Sequence, residues 1–241
     1  MFRKILITIA ILQSATTFAS IQVLTTRVIF SEPSNEASVS IKNKGDSPHL
    51  VQVWLEDLEG NTKLPFIITP PITRVDPEEG QVYRIIKTEQ ETETETETET
   101  ETVYWLNFLD IPPTKRKYMS ENSMQFAIKT RIKFFYRPMN LSNKKRSITQ
   151  DIKWIISEDD SSNSLITCIN KSPFIYSFTS IKFRESDKEH LSSGGMCLAH
   201  SKNAFRIQKS KMIAHGTRNK LVVDIINDYG GIEKHTFPIS K

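Results

Sequence analysis

From Met124 to Tyr136 the chain alternates. Met124, Phe126, Ile128, Thr130, Ile132, Phe134 and Tyr136 fall on one face, and Gln125, Ala127, Lys129, Arg131 and Lys133 on the other. That is the period of a half-buried β-strand. At about 3.3 Å per residue such a strand runs on the order of 45 Å, well beyond the usual strand length, so one end is expected to overhang its own domain. A long apolar row at a sheet edge must be covered by neighbouring elements or by a partner strand.

Shorter runs of the same kind precede it. They are Gln22 to Phe30, Ala37 to Asn43, His49 to Asp57, Phe66 to Thr69, Gln81 to Lys87 and Val103 to Ile111, separated by turns such as Gly45-Asp-Ser-Pro48 and Leu58-Glu-Gly-Asn-Thr62. With the long strand they make one immunoglobulin-like sandwich of seven strands. Trp54, in mid-strand, reads as a core filler. The proline-rich segment from Leu64 to Pro77 reads as a crossing between the two sheets, with Thr69-Pro70 a candidate cis bond. After Pro138 the polar, basic stretch Asn140 to Ser147 suggests a domain boundary. A second series follows: Ile152 to Ser157, Leu165 to Asn170, Ile175 to Phe183, Ala204 to Gln208, Leu221 to Ile226 and Glu233 to Pro238, the last two joined by the hairpin turn Asp228-Tyr-Gly-Gly231. No amphipathic helix is evident.

The expected organisation is therefore residues 1–19 as a signal peptide, 20–138 as the first sandwich domain and 139–241 as the second. Arg3 and Lys4, the apolar run from Ile5 to Leu12 and the small-x-small site Thr17-Phe18-Ala19 carry the export reading. The run is well short of the ~20 residues that span a bilayer. Removing this segment leaves a formal charge of about +2, which offers nothing to nucleic acid. In an exported chain the two cysteines, Cys168 and Cys197, are expected to form a disulfide, contributing roughly 3–4 kcal/mol. Between Glu89 and Thr102, Gln90 aside, glutamate and threonine alternate from Glu91 onward; like charges on one face and no apolar residue favour a solvated loop.

Catalytic chemistry has little to stand on. The five histidines make no pair at metal-ligand spacing, no glycine-rich phosphate loop or Gly-x-Ser-x-Gly elbow occurs, and no metal, cofactor or enzymatic activity is expected.

Several motifs in order carry a likeness: Thr26-Arg-Val-Ile-Phe30, Ile67-Ile-Thr-Pro-Pro71 with Arg74-Val-Asp-Pro77, Tyr104-Trp-Leu-Asn-Phe-Leu-Asp-Ile-Pro-Pro113, Thr130-Arg-Ile-Lys-Phe-Phe-Tyr-Arg-Pro138 and Ile226-Asn-Asp-Tyr-Gly-Gly231. On these, from about Gln22 to the C-terminus, the chain resembles the periplasmic chaperones of the chaperone–usher pilus pathway. The short polar loop from Pro113 to Met124 is similar to that of their short-loop class, which the resemblance links to rod-forming pili with composite tips.

The resemblance implies an all-β fold of two immunoglobulin-like β-sandwich domains in a boomerang arrangement. It implies a chaperone that binds, folds and caps pilus subunits by donating a strand, delivers them to the outer-membrane usher, and can self-associate when free. Met124, Phe126, Ile128 and Ile132 would be the donated residues. Arg27 and Lys133 would clamp the subunit's terminal carboxylate, with Arg131 the rival for Lys133 on the residues alone. Glu101, Arg137 and Asp228 would form the charged set tying the two domains. Here the Glu-Thr repeat replaces the family's usual loop ahead of Val103, so a neighbouring repeat unit could stand in Glu101's place. The competing reading is a secreted β-sandwich fibre subunit or adhesin; two strand sets, rather than one incomplete sandwich, favour the chaperone.

Overall fold

The computed structural model describes residues 20–88, 99–114, 124–158, 164–185, 188–207 and 220–238. The expected signal peptide, most of the Glu-Thr repeat and residues 115–123 of the short loop lie outside the described residues.

Among the described residues nine strands build the first sandwich: β1 (Ile21–Val23), β2 (Arg27–Ser31), β3 (Glu36–Asn43), β4 (His49–Glu56), β5 (Phe66–Thr69), β6 (Ile72–Val75), β7 (Gly80–Lys87), β8 (Thr102–Ile111) and β9 (Ile128–Arg137). One sheet has the order β1-β3-β7-β5, the other β2-β9-β8-β4-β6. Inward residues of alternate parity, among them Phe30, Ile41, Tyr83, Ile85, Leu106, Phe108 and Phe134, fill the space between them.

Four sequence expectations change here. The run from Gln22 to Phe30 is two strands: β1 pairs antiparallel with β3, then the chain switches sheets and β2 pairs parallel with β9. Alternation persists through such a switch, so period alone does not reveal it. The proline segment does cross between sheets, with Thr69–Pro70 cis, but it resumes immediately as β6, which pairs with β4. Trp54 is not a core filler. Val51, Val53 and Leu55 point inward, so Trp54 takes the outer face, donates from Nε1 to Glu56 Oε1 at 2.7 Å and lies under the Lys129 ammonium at 4.9 Å. Finally, β9 begins at Ile128 rather than Met124. Its pairing with β8 ends at Asp110 opposite Ile128, and two residues further along the β8 side stand Pro112 and Pro113, which have no N–H to continue a ladder.

Two single helical turns, α1 (Met139–Ser142) and α2 (Ile148–Asp151), lead into the second sandwich. Its strands are β10 (Ile152–Glu158), β11 (Ser164–Asn170), β12 (Tyr176–Glu185), β13 (Lys188–Cys197), β14 (Lys202–Ile207), β15 (Lys220–Ile226) and β16 (Ile232–Pro238), in sheets β10-β11-β14 and β13-β12-β15-β16. Trp154, Phe178, Phe205 and Phe237 dominate the core. β13 escapes the sequence reading because it is an edge strand without apolar alternation. Its Gly195 lies where a Cβ would come within 2.6 Å of the Phe205 ring. Cys168 and Cys197 are bonded and fully buried, joining β11 of one sheet to β13 of the other.

Candidate functional site

Where the two sandwiches meet, β2 and β9 present their outer faces to β12 and β15. The parallel register sets Arg27 directly beside Lys133. Arg27 is buried: one terminal nitrogen donates to the Ile226 carbonyl at 3.1 Å, and the guanidinium lies 5.3 Å from the centre of the Phe135 ring. Its Nε finds no acceptor among the described residues. Lys133 Nζ donates to Ser177 Oγ at 3.1 Å. Neither cation has a carboxylate at ion-pair distance among the described residues. Burial, and then the charge of Arg146, lower the pKa of Arg27. Burial, and then the charge of Arg27, pull Lys133 down to about 8. Two sheltered like charges side by side are unfavourable until an anion joins them. Arg131, the rival, lies two residues earlier on the same face. It is exposed, stacks 4.3 Å over Trp105 and does not pair with Arg27 in register.

The apolar row on the opposite face of β9 divides in two. Ile132, Phe134 and Tyr136 are buried in the first domain's own core, Ile132 at 9% exposure. Ile128, Phe126 and Met124 are exposed by 56%, 71% and 80%. Ile132 is therefore a correction to the expected exposed row: the facing sheet still covers it. Beyond it the sandwich ends and the row does not. Along the other edge, β2 covers only Lys133 to Arg137, so among the described residues nothing pairs with residues 128–132 on the side away from β8.

Behind this cleft the expected charged set does come together. Arg137 donates from Nε and Nη2 to Glu101 Oε1 at 2.9 and 2.7 Å, and from Nη1 to Asp228 Oδ2 at 2.8 Å. Glu101 Oε2 accepts from the Ile175 N–H at 2.8 Å, and the Glu101 N–H donates to the Pro173 carbonyl at 2.8 Å, so one residue grips the second domain at both ends. Burial alone would raise the Asp228 carboxyl, but hydrogen bonding from Arg137 and the charge of Arg146 hold it below the ordinary carboxylate range. The sequence does not single out Arg146. This residue pairs with Asp228, donates to the Ile175 carbonyl at 2.6 Å and lies 4.7 Å over the Tyr176 ring. In sequence it is one of three consecutive cations in a boundary segment, and nothing local separates it from Lys144 and Lys145. The apolar contacts of Val103 and Phe135 with Ile175, flanked by Ile29, Met196 and Ala199, complete the junction.

Family models match both halves in order. Residues 20–142 match the pili and flagellar-assembly chaperone, PapD N-terminal domain, and residues 147–237 match the pili assembly chaperone PapD, C-terminal domain. The probable fimbrial chaperone YadV of Escherichia coli K12 is 31% identical over 227 residues, covering 90% of this chain and 89% of the relative. The chaperone protein MrkB of Klebsiella pneumoniae is 34% identical over 218 residues, covering 85% of each. Among solved structures, the YadV chaperone superposes with a TM-score of 0.76 at 28% identity, covering 91% of this chain and 100% of the other. The Pseudomonas aeruginosa CupB2 chaperone gives 0.70 at 25% identity with the same coverage. The all-β, two-domain fold and the relatives agree, and the protein belongs to the PapD-like pilus-assembly chaperones.

Proposed function

We propose that this protein works in the periplasm as a strand donor: it binds, folds and caps pilus subunits and hands them to the outer-membrane usher. The observation that carries the reading is the divided apolar row, buried at Ile132 and exposed at Ile128, Phe126 and Met124 beside an unpaired stretch of strand edge. A subunit strand laid along residues 128–132 would be collinear with β2 and would stop where β2 begins, at Arg27. Because β9 runs from Ile128 towards Arg137, a parallel partner brings its C-terminus to the Arg27–Lys133 pair; an antiparallel one would bring an ammonium there. The two cations thus select direction as well as register, while Met124, Phe126 and Ile128 fill the subunit's open groove. Glu101, Arg137, Asp228 and Arg146 hold the second domain at the angle that leaves this cleft open.

Without a subunit, the same exposed row favours self-association. The experiment is purification from periplasm of the tagged wild-type chain and of Ile128→Asp, with mass spectrometry of what co-purifies. A small pilus subunit in equal amount with the wild type, and its absence from a folded Ile128→Asp protein, is the expected result. Equal recovery with both proteins would overturn strand donation.

A further inference from the structure

Residues 124–127 carry two of the three exposed apolar side chains, yet they have no ladder to hold them. Continuing the β8–β9 register past Asp110 opposite Ile128 would set Gln125 against Pro113, and neither Pro112 nor Pro113 has an N–H to offer. The Gln125 side chain bridges this gap. Its amide Nε2 donates to the Pro112 carbonyl at 2.6 Å, and its Oε1 accepts from Thr114 Oγ1 at 3.1 Å. The amide of one residue meets an acceptor and a donor on either side of the proline that faces it.

We infer that Gln125 is a positioning residue for strand donation, a side-chain clip that takes over from the backbone ladder where the prolines end it. Alternation along an extended chain sends the Gln125 side chain to the face opposite Met124 and Phe126. The clip thus keeps the segment extended while both apolar side chains remain free to enter a subunit groove. A segment held in its binding conformation loses less freedom on capture than a free one, and a segment that must first be ordered is captured more slowly. This rests on the strand-donation reading above, and the test separates the two.

Gln125→Met preserves length and volume but removes both polar groups; Gln125→Lys restores only a donor of similar reach. Backbone NMR order parameters at Phe126 and Ala127 report the clip without any ligand. They should fall in Gln125→Met and recover largely in Gln125→Lys, with thermal midpoints of all three proteins alike. The probe for capture is the subunit that co-purifies with the tagged wild type, diluted from denaturant into each variant. Its capture rate should drop about threefold to tenfold with Gln125→Met and recover with Gln125→Lys. Unchanged order parameters in Gln125→Met, or lost order with an unchanged capture rate, overturns the inference. Ile128→Asp runs alongside: if it is folded and still captures at the wild-type rate, strand donation itself fails, whatever Gln125 does.

Discussion

Arg137 and Arg146 are met by two carboxylates, Glu101 and Asp228, and by the Ile175 carbonyl, whereas Arg27 and Lys133, in the same interdomain junction, are met by the Ser177 hydroxyl and the Ile226 carbonyl. Among the described residues, the carboxylates at ion-pair distance from these four cations are Glu101 and Asp228, and both are held by the first pair. A compensated pair needs nothing more and can act as a rigid tie. An uncompensated, sheltered pair is held at a cost in stability by the surrounding fold, and that cost is relieved when a carboxylate arrives. On the proposed function, one half of the junction maintains geometry and the other half receives the subunit's carboxylate.

The sharpest way to break this comparison is at Arg137. Its removal leaves Glu101, whose side chain is 1% exposed, with a buried charge and a single backbone donor. A loss on the order of 3–5 kcal/mol of stability is expected for Arg137→Ala, read as a large fall in the thermal midpoint. A midpoint like that of the wild type would mean that the tie is not structural.

Arg27→Ala and Lys133→Ala should behave in the opposite way. Each relieves repulsion between two like charges, so the thermal midpoint should move little, while subunit affinity should drop by ~2–5 kcal/mol, some thirty-fold to several thousand-fold. Arg131→Ala, which removes a stacked surface cation, should leave capture close to normal. If Arg131→Ala alone fails in co-purification, the receptor has been assigned to the wrong cation.

pH separates the two pairs without a mutation. Asp228 has a folded pKa below its unfolded value, so its contribution to the tie is present at neutral pH and is lost as the pH falls through the folded value, below about 4. Lys133 in the free protein lies at about 8, below its unfolded value, so the folded state holds fewer protons above that pH and folding stability gains as the pH rises. Binding runs the other way. A subunit carboxylate requires the charged ammonium, so capture should take up a proton and weaken as the pH rises from 7 towards 9.5. Lys133→Arg should flatten that profile. A flat wild-type profile over the same range would show that the ammonium does not meet the subunit's carboxylate.

How far the sequence reveals this arrangement depends on whether a feature repeats. The strands of both sandwiches follow from period-two alternation, and the cleft set follows from motif resemblance. β13 has no alternation to read, because its role is to let Phe205 and a neighbouring strand approach its glycines. Trp54 has the composition of a core residue and the parity of a surface one, and parity is settled only once Val53 and Leu55 are known to point inward. Ile132 belongs to the same apolar row as Ile128; what distinguishes them is the extent of the opposite sheet, which is a tertiary fact. Arg146 and Gln125 act through contacts across the chain that no local pattern announces.

The smallest expected effect concerns how Glu101 reaches its place. It sits at the end of a run of identical Glu-Thr units, directly before Thr102 and Val103, where β8 begins. Deleting two units upstream, with Glu101 and Thr102 retained, leaves every group of the tie in position, including the bonds to Arg137, Ile175 and Pro173. Shortening a connection by four residues changes loop-closure entropy by only a few tenths of a kcal/mol. The thermal midpoint and subunit recovery should therefore match those of the wild type, while the same deletion combined with Glu101→Ala should unfold early, because Arg137 and the Ile175 N–H then lose their shared acceptor. If the deletion alone lowers the midpoint as much as Glu101→Ala does, the repeat carries part of the tie, and the two halves of the junction are not as separate as their charges suggest.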